Sequence, residues 1–334
     1  MSTFKAILAT QVNGKFEIAI DDLEREALPA GEVLIRVAYS SLNYKDGAVV
    51  KGLPGFIRKW PMVPGIDLSG VVEESSSASY KHGDQVVVTG WGLSETQWGG
   101  YSELCRLDAK YLVPLAKGLT LKQAMGIGTA GFTAMQCVLA LEKHGLKERV
   151  TNEKTCEVLV TGAGGGVGSI AVAVLAKLGY KVTASTGRAD EIGDYLHGLG
   201  AKQIIDRTAL SVPGKGPLTS ERWAGCVDTV GGEVLAGVLR ATAINGSVAA
   251  CGLAGGGALA THVAPFILRG VNLLGINSVH VPFSERLEIW RRLSEDLPMP
   301  LLEDMMTEEP LEAVFDLADK ILAGQVRGRT VIKI

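Results

Sequence analysis

Residues 158–176, VLVTGAGGGVGSIAVAVLA, restrict the fold of this chain more than any other segment. An apolar, β-branched run leads into a turn in which five of the seven positions 162–168 are glycine, and an apolar run of helix length follows. A buried strand that ends in such a turn and opens a helix belongs in a parallel sheet covered by helices. The same turn has a chemical consequence. Without side chains in the way, a phosphate can approach the backbone N–H groups and the positive end of the helix dipole. Gly164, Gly165, Gly166 and Val167 form that candidate cradle, with Gly165 admitting the phosphate and Gly168 allowing helix and strand to pack closely. Ala163 stands where the first glycine of G-x-G-x-x-G is expected, so the pattern is missed by one methyl group.

The flanking sequence extends this reading. Strand-length runs without polar alternation, at 157–161, 180–184, 203–206, 226–230, 247–251 and 271–276, alternate with helix-length segments, as a doubly wound α/β sheet requires. The end of the second run selects the dinucleotide. An acidic residue there would bond the ribose 2′-hydroxyl of NAD. Residues 184–188 read ASTGR instead, and Arg188 lies twenty positions past Gly168. A guanidinium fork, the hydroxyls of Ser185 and Thr186, and the bare Gly187 suit a 2′-phosphate, which predicts NADPH. Asp190 and Glu191 fall at the start of the next helix and suit its first turn. Arg207, after the third run, is a further candidate for the adenosine phosphate.

The first 125 residues read differently. Residues 32–40 (EVLIRVAYS) alternate at period two, 68–72 and 85–89 are short apolar runs, and Gly and Pro punctuate them. Many short strands with such turns predict a partly open β-barrel. Residues 330–334 (TVIKI) form a lone terminal strand, whose natural partner is this β-rich region. The expected organisation is a discontinuous domain, 1–125 with 300–334, around a second domain at 126–299. Residues 284–297 predict an amphipathic helix, and the polar stretch 147–155 a surface insertion.

Composition narrows the function classes. With 33 basic and 36 acidic residues interleaved, net charge −3, the chain has no basic block for nucleic acid. The N-terminus lacks the uninterrupted apolar core of a signal peptide, and no unbroken apolar run nears bilayer length, so a cytoplasmic protein without a membrane partner is expected. The five cysteines, Cys105, Cys137, Cys156, Cys226 and Cys251, are odd in number and show no C-x-x-C, and the five histidines show no metal spacing.

With these motifs assembled, the sequence resembles the medium-chain dehydrogenases/reductases along essentially its whole length. The resemblance implies a GroES-like, partly open β-barrel catalytic domain and a Rossmann doubly wound domain. Members that use zinc carry a Cys in the segment matching SSLNYKD (40–46) and a His in that matching PGIDLSG (64–70). Here Asn43 and Ile66 occupy those places, so no metal is expected. The stretches SSLNYKD, PGIDLSGVV, TGWGLSETQWGGYSE, IGTAGFTAM, DTVGG, ACGLAGG and PFILRGVNLLGINSV resemble the acryloyl-CoA reductases of the zinc-independent, quinone oxidoreductase-like branch. That resemblance implies NADPH-dependent reduction of a short enoyl-CoA, with quinone or enal reduction, or NADPH binding without catalysis, as the alternatives.

Tyr44 is then the leading catalytic candidate, as a hydrogen-bond and proton donor that also touches the cofactor. Asn43, in the former zinc position, is a second donor. Lys45 and Asp46 are expected to pair and orient this loop. The resemblance implies a cofactor contact at Thr129. Leu253, Ile267 and Ser278, after the later strands, are expected to line the nicotinamide pocket, and Gln325 is a further cofactor-binding candidate. Arg58, Lys59 and Arg329 are candidates for the phosphates of CoA. The apolar run at 270–279 is an edge strand whose pairing with a second copy predicts a homodimer.

Overall fold

The computed structural model describes residues 3–150, 157–211 and 216–334. Cys156 and most of the polar stretch 147–155 therefore lie outside the described residues. The chain divides into two units: residues 1–129, 278–294 and 302–334 form one, and 130–277 with 295–301 form the other.

In the first unit, β1 (Thr3–Val12) and β2 (Lys15–Glu24) make an antiparallel hairpin. The larger sheet uses β3 (Val33–Ser41), β4 (Asp67–Ser75), β5 (Gln85–Thr89), β6 (Leu104–Leu107) and β7 (Val113–Pro114). Its order is Met306–Pro310, Arg329–Lys333, β3, β4, β5, β7, with β6 also on β3, so the sheet does not close into a full barrel. The terminal strand pairs antiparallel with β3, Val331 opposite Ser41, as its isolation in the sequence required. The period-two alternation of β3 puts one face in a core, while the other face buries Leu34 in a second core and leaves Arg36 exposed. Val33, Ile35 and Val37 pack with Leu68, Val72 and Val86, while Leu34 packs with Phe4, Ala6 and Leu104.

The segment 278–294 departs from the expected boundary, which assigned it to the domain of the parallel sheet. The fully buried Arg286 explains this: its Nη1 donates to Thr89 O at 2.8 Å and its Nη2 to Val279 O at 2.9 Å, and its guanidinium lies 4.4 Å from the centre of the Trp91 ring. These bonds tie the helix Phe283–Asp296, through most of its length, to β5.

The second unit holds β8 (Glu157–Thr161), β9 (Lys181–Thr186), β10 (Gln203–Asp206), β11 (Trp223–Asp228), β12 (Thr242–Ala250) and β13 (Asn272–Gly275). All pair in parallel in the order β10-β9-β8-β11-β12-β13, so the strand sequence reverses direction at β8, beside the glycine turn. The central core joins Leu159, Cys226, Val238, Leu239 and Val248. Among the described helices, Leu121–Lys143 alone has the length and hydropathy of a bilayer span, a departure from the sequence expectation. Non-helical backbone at Gly128 breaks it, and most of it is buried within protein, so these apolar residues serve the core.

Candidate active site

In the second unit the glycine turn joins β8 to the helix Gly166–Lys177, with Gly165 as its N-cap. The first helical N–H groups, those of Gly166, Val167 and Gly168, have no intrahelical acceptor and mark the anion-binding end. The glycines divide their work. A Cβ on Gly168 would stand 2.3 Å from Gly162 O and 2.6 Å from Ala163 Cα, so this glycine lets helix and strand touch. A Cβ on Gly164 would meet Ile192 at 2.4 Å, whereas one on Gly165 would meet only Gly162 O, at 3.4 Å. The space before Gly165 is thus kept open for something other than the protein. Thr161 Oγ1 donates to Asp228 Oδ1 at 2.7 Å, and Thr229 Oγ1 to Thr161 O at 2.9 Å, which clamps the root of the turn to the end of β11. Burial raises the carboxyl pKa of Asp228.

Around the tip of β9 the predicted phosphate ligands converge. The Ser185 hydroxyl is buried with no hydrogen-bond partner among the described residues, an expensive state that a bound anion would relieve. A Cβ on Gly187 would lie 2.8 Å from Arg207 Nε, and one on Gly164 would lie 3.7 Å from Arg188 Nη2. The Arg207 guanidinium thus sits beside the tip of β9 and that of Arg188 reaches back toward the glycine turn, and the Arg207 backbone N–H donates to Thr186 O at 3.0 Å. This donor set fits NADPH: backbone N–H groups for the pyrophosphate, then Ser185, Thr186, Arg188 and Arg207 for the 2′-phosphate. Leu253, 69% exposed, lies in the loop after β12, and Ile267, 73% exposed, lies on the helix Ala264–Arg269.

The first unit carries the other candidates. Tyr44 begins the helix Tyr44–Val50 and is 53% exposed, so its ring is accessible. Asn43 caps that helix in a capping box with Asp46. Its Nδ2, with two protons to give, lies within hydrogen-bond distance of Asp67 Oδ2 at 2.9 Å, Ser41 Oγ at 3.1 Å and Asp46 Oδ2 at 3.1 Å, and its Oδ1 accepts from Arg329 Nη1 at 3.3 Å. Every polar atom of this amide is turned inward, which corrects the expectation that Asn43 donates to substrate. Arg329 is a second correction. It is 2% exposed, and its guanidinium serves Gly126 O at 2.8 Å and Leu42 O at 3.3 Å, so it does not belong to a basic rim for CoA.

Lys45 and Asp46 do not pair. Lys45 forms its ion pair with Glu95, which also lies 3.6 Å from Arg58, whereas Asp46 is fully buried. Lys59 is exposed and places its backbone N–H 3.1 Å from Glu95 O. Thr129 follows the break at Gly128 and is half-buried, Ser278 accepts from Arg286 Nη2 at 3.3 Å, and Gln325 is exposed.

Sequence reasoning missed Asp67. Its carboxylate accepts from Ser41 Oγ at 2.6 Å, Asn43 Nδ2 at 2.9 Å, Thr129 N at 2.8 Å and Thr129 Oγ1 at 2.5 Å. Asp46 accepts from the backbone N–H groups of Asn43 and Ile66, each at 2.9 Å. Burial first, then the charge of Asp67, pushes the Asp46 carboxyl up to about 7. The signal was present: an acid inside the apolar run IDLSGVV must have partners. Among the described residues no group of three or more His, Cys, Asp and Glu side chains could hold a metal ion.

Two family models match the chain, the alcohol dehydrogenase GroES-like domain at residues 29–117 and the zinc-binding dehydrogenase at 166–295. A protein of Ruegeria pomeroyi, the acrylyl-CoA reductase AcuI, is 52% identical over 322 residues, 96% of each chain. The crystal structure of the yhdH oxidoreductase from Salmonella enterica in complex with NADP superposes with a TM-score of 0.93 at 47% identity, covering 99% of both chains. That of Escherichia coli K-12 YhdH with bound NADPH gives 0.93 at 44% identity, over 98% of this chain and 99% of the other.

Proposed function

This chain belongs to the medium-chain dehydrogenase/reductase superfamily, and from that premise we propose that it reduces the C=C bond of acryloyl-CoA to propionyl-CoA with NADPH. The observation that carries the reading is the 52% identity to the Ruegeria acrylyl-CoA reductase over 96% of both chains. The donor set around Ser185, Arg188 and Arg207 supports NADPH over NADH.

When bound, NADPH supplies the hydride. The residues that would hold it are Gly164 to Val167 at the pyrophosphate and Ser185 to Arg188 with Arg207 at the 2′-phosphate. Leu253, Ile267, Ser278, Thr129 and Gln325 are the candidates for the rest of the molecule. On the substrate side the thioester carbonyl already polarises the alkene, so hydride addition at the β-carbon leaves an enolate. The protein then has two tasks, to donate a hydrogen bond to the enolate oxygen and to let a proton reach the α-carbon. Tyr44 is suited to both, because its phenol is accessible and its backbone is fixed by the capping box beneath it. Arg58 and Lys59, both exposed, are the remaining candidates for the CoA phosphates.

The enzyme works as a cytoplasmic homodimer in this reading. What supports the dimer is the open edge of β13 together with the exposed apolar side chains of Val263, Leu268 and Leu273.

The test is isotopic. With NADPH deuterated at the transferring C4 position, propionyl-CoA should carry one deuterium on the β-carbon, and the α-carbon should take its proton from solvent. Label at the α-carbon, or no propionyl-CoA at all, would overturn the proposal.

A further inference from the structure

We propose that Asp67 is a positioning residue that turns the Thr129 hydroxyl into a hydrogen-bond acceptor for the cofactor. The inference rests on the reading above, in which Thr129 contacts NADPH, and it specifies the chemistry of that contact.

Asp67 opens β4, is fully buried, and gathers donors from two separate stretches of chain, Ser41 and Asn43 on one and Thr129 on the other. The Asn43 amide and the Thr129 backbone N–H can only donate, so Asp67 is the acceptor among these groups and takes the hydroxyl protons as well. Oδ2 takes the Ser41 hydroxyl, the Asn43 amide and the Thr129 backbone N–H, while Oδ1 takes the Thr129 hydroxyl at 2.5 Å. A hydroxyl has one proton, and Thr129 gives it to Asp67. Toward any further partner the Thr129 oxygen is therefore an acceptor. It suits an N–H or O–H donor, such as a carboxamide or a ribose hydroxyl, and it is unsuited to the carbonyl of an acyl thioester.

The surroundings hold this arrangement rigid. Gly128, at φ +51°, has no room for a side chain, since a Cβ would lie 2.6 Å from Asp67 Oδ2, 2.7 Å from Arg329 Nη2 and 2.9 Å from Ser41 Oγ. The Asn43 amide takes an acidic partner on each side, Asp46 and Asp67, and Arg329 holds its oxygen. With neighbours locked in this way, the Thr129 hydroxyl cannot exchange its acceptor without losing the bond to Oδ1.

Four variants of the full chain test the proposal: Thr129→Ser, Thr129→Val, Asp67→Asn and the double variant Thr129→Val/Asp67→Asn. NADPH affinity is read by fluorescence titration and folding by thermal melting. Thr129→Ser should bind NADPH like the wild type, because the hydroxyl remains. Thr129→Val and Asp67→Asn should each weaken NADPH by about tenfold. The double variant should lose no more than either, because both changes remove the same oriented acceptor. A folded Asp67→Asn with wild-type affinity, or losses that multiply in the double variant, would overturn the proposal. Should Asp67→Asn not fold, the threonine pair still decides: equal affinity for Thr129→Val and Thr129→Ser refutes it. Turnover of acryloyl-CoA by the wild type is measured alongside, so that inactivity there counts against the proposed function and not against this inference.

Discussion

A single methyl group placed at Gly165 or at Gly168 should have opposite consequences. At Gly168 the new Cβ would lie 2.3 Å from Gly162 O and 2.6 Å from Ala163 Cα, both backbone atoms in a buried turn. Ordinary contact begins near 3.4 Å, so helix and strand must separate by roughly 1 Å, and overpacking of that kind costs about 1–3 kcal/mol. The gain in helix propensity from Gly to Ala returns at most about 1 kcal/mol. Gly168→Ala should therefore lose roughly 1–2 kcal/mol and melt several degrees lower. Gly165 sits at φ −84°, ψ 175°, extended backbone that any residue adopts, and its Cβ would meet nothing closer than 3.4 Å. Stability of Gly165→Ala should stay within about 1 kcal/mol of the wild type, the loss of a glycine N-cap offsetting the entropy gain. Its methyl, however, occupies the cradle, and NADPH affinity should fall at least about tenfold, or 1.4 kcal/mol. Scanning calorimetry and NADPH fluorescence titration of both variants make the check. A Gly165→Ala that binds NADPH normally, or a Gly168→Ala as stable as the wild type, would refute the assignment of roles in this turn.

Three further outcomes are expected. Replacing Arg188 and Arg207 by Ala should weaken NADPH by roughly tenfold to a hundredfold and leave NADH nearly unchanged; equal losses for both would place the arginines elsewhere. Because the folded-state pKa of Asp46 is raised to about 7, ionising it opposes folding, so the stability held below the unfolded value is lost as pH rises through 7. Asp46→Asn should accordingly gain on the wild type by roughly 2–3 kcal/mol between about pH 5 and pH 8 in denaturant titrations, and a gap independent of pH would contradict the buried carboxyl. Size-exclusion chromatography with light scattering should return twice the 35.2 kDa chain mass, and a monomer would sink the paired-edge reading of β13.

What could be read from the sequence was local. The strand, glycine turn and helix at 157–177 are contiguous, so apolar period and glycine spacing were enough to place them, and the nearness of Arg188 to the turn followed from its distance along the chain. The terminal strand was legible for another reason, since a lone edge must find a partner. The carboxylate network was not legible, because Asp67 meets Thr129 across 62 positions of sequence and Arg329 reaches Gly126 across 203. No spacing rule links such residues. Asn43 and Arg329 looked like donors because their residue types donate, but the fold spends those donors on Asp67, Asp46 and backbone carbonyls. Burial decided the case of Arg329 and inward hydrogen bonds that of Asn43, and a single sequence displays neither.

The most direct test of the central claim is the initial rate of NADPH oxidation at 340 nm with acryloyl-CoA, set beside crotonyl-CoA and a benzoquinone. The account predicts turnover with acryloyl-CoA at a kcat/KM well above the other two, and propionyl-CoA as the product. Turnover of the quinone alone, or tight NADPH binding with no turnover of any of the three, would contradict it.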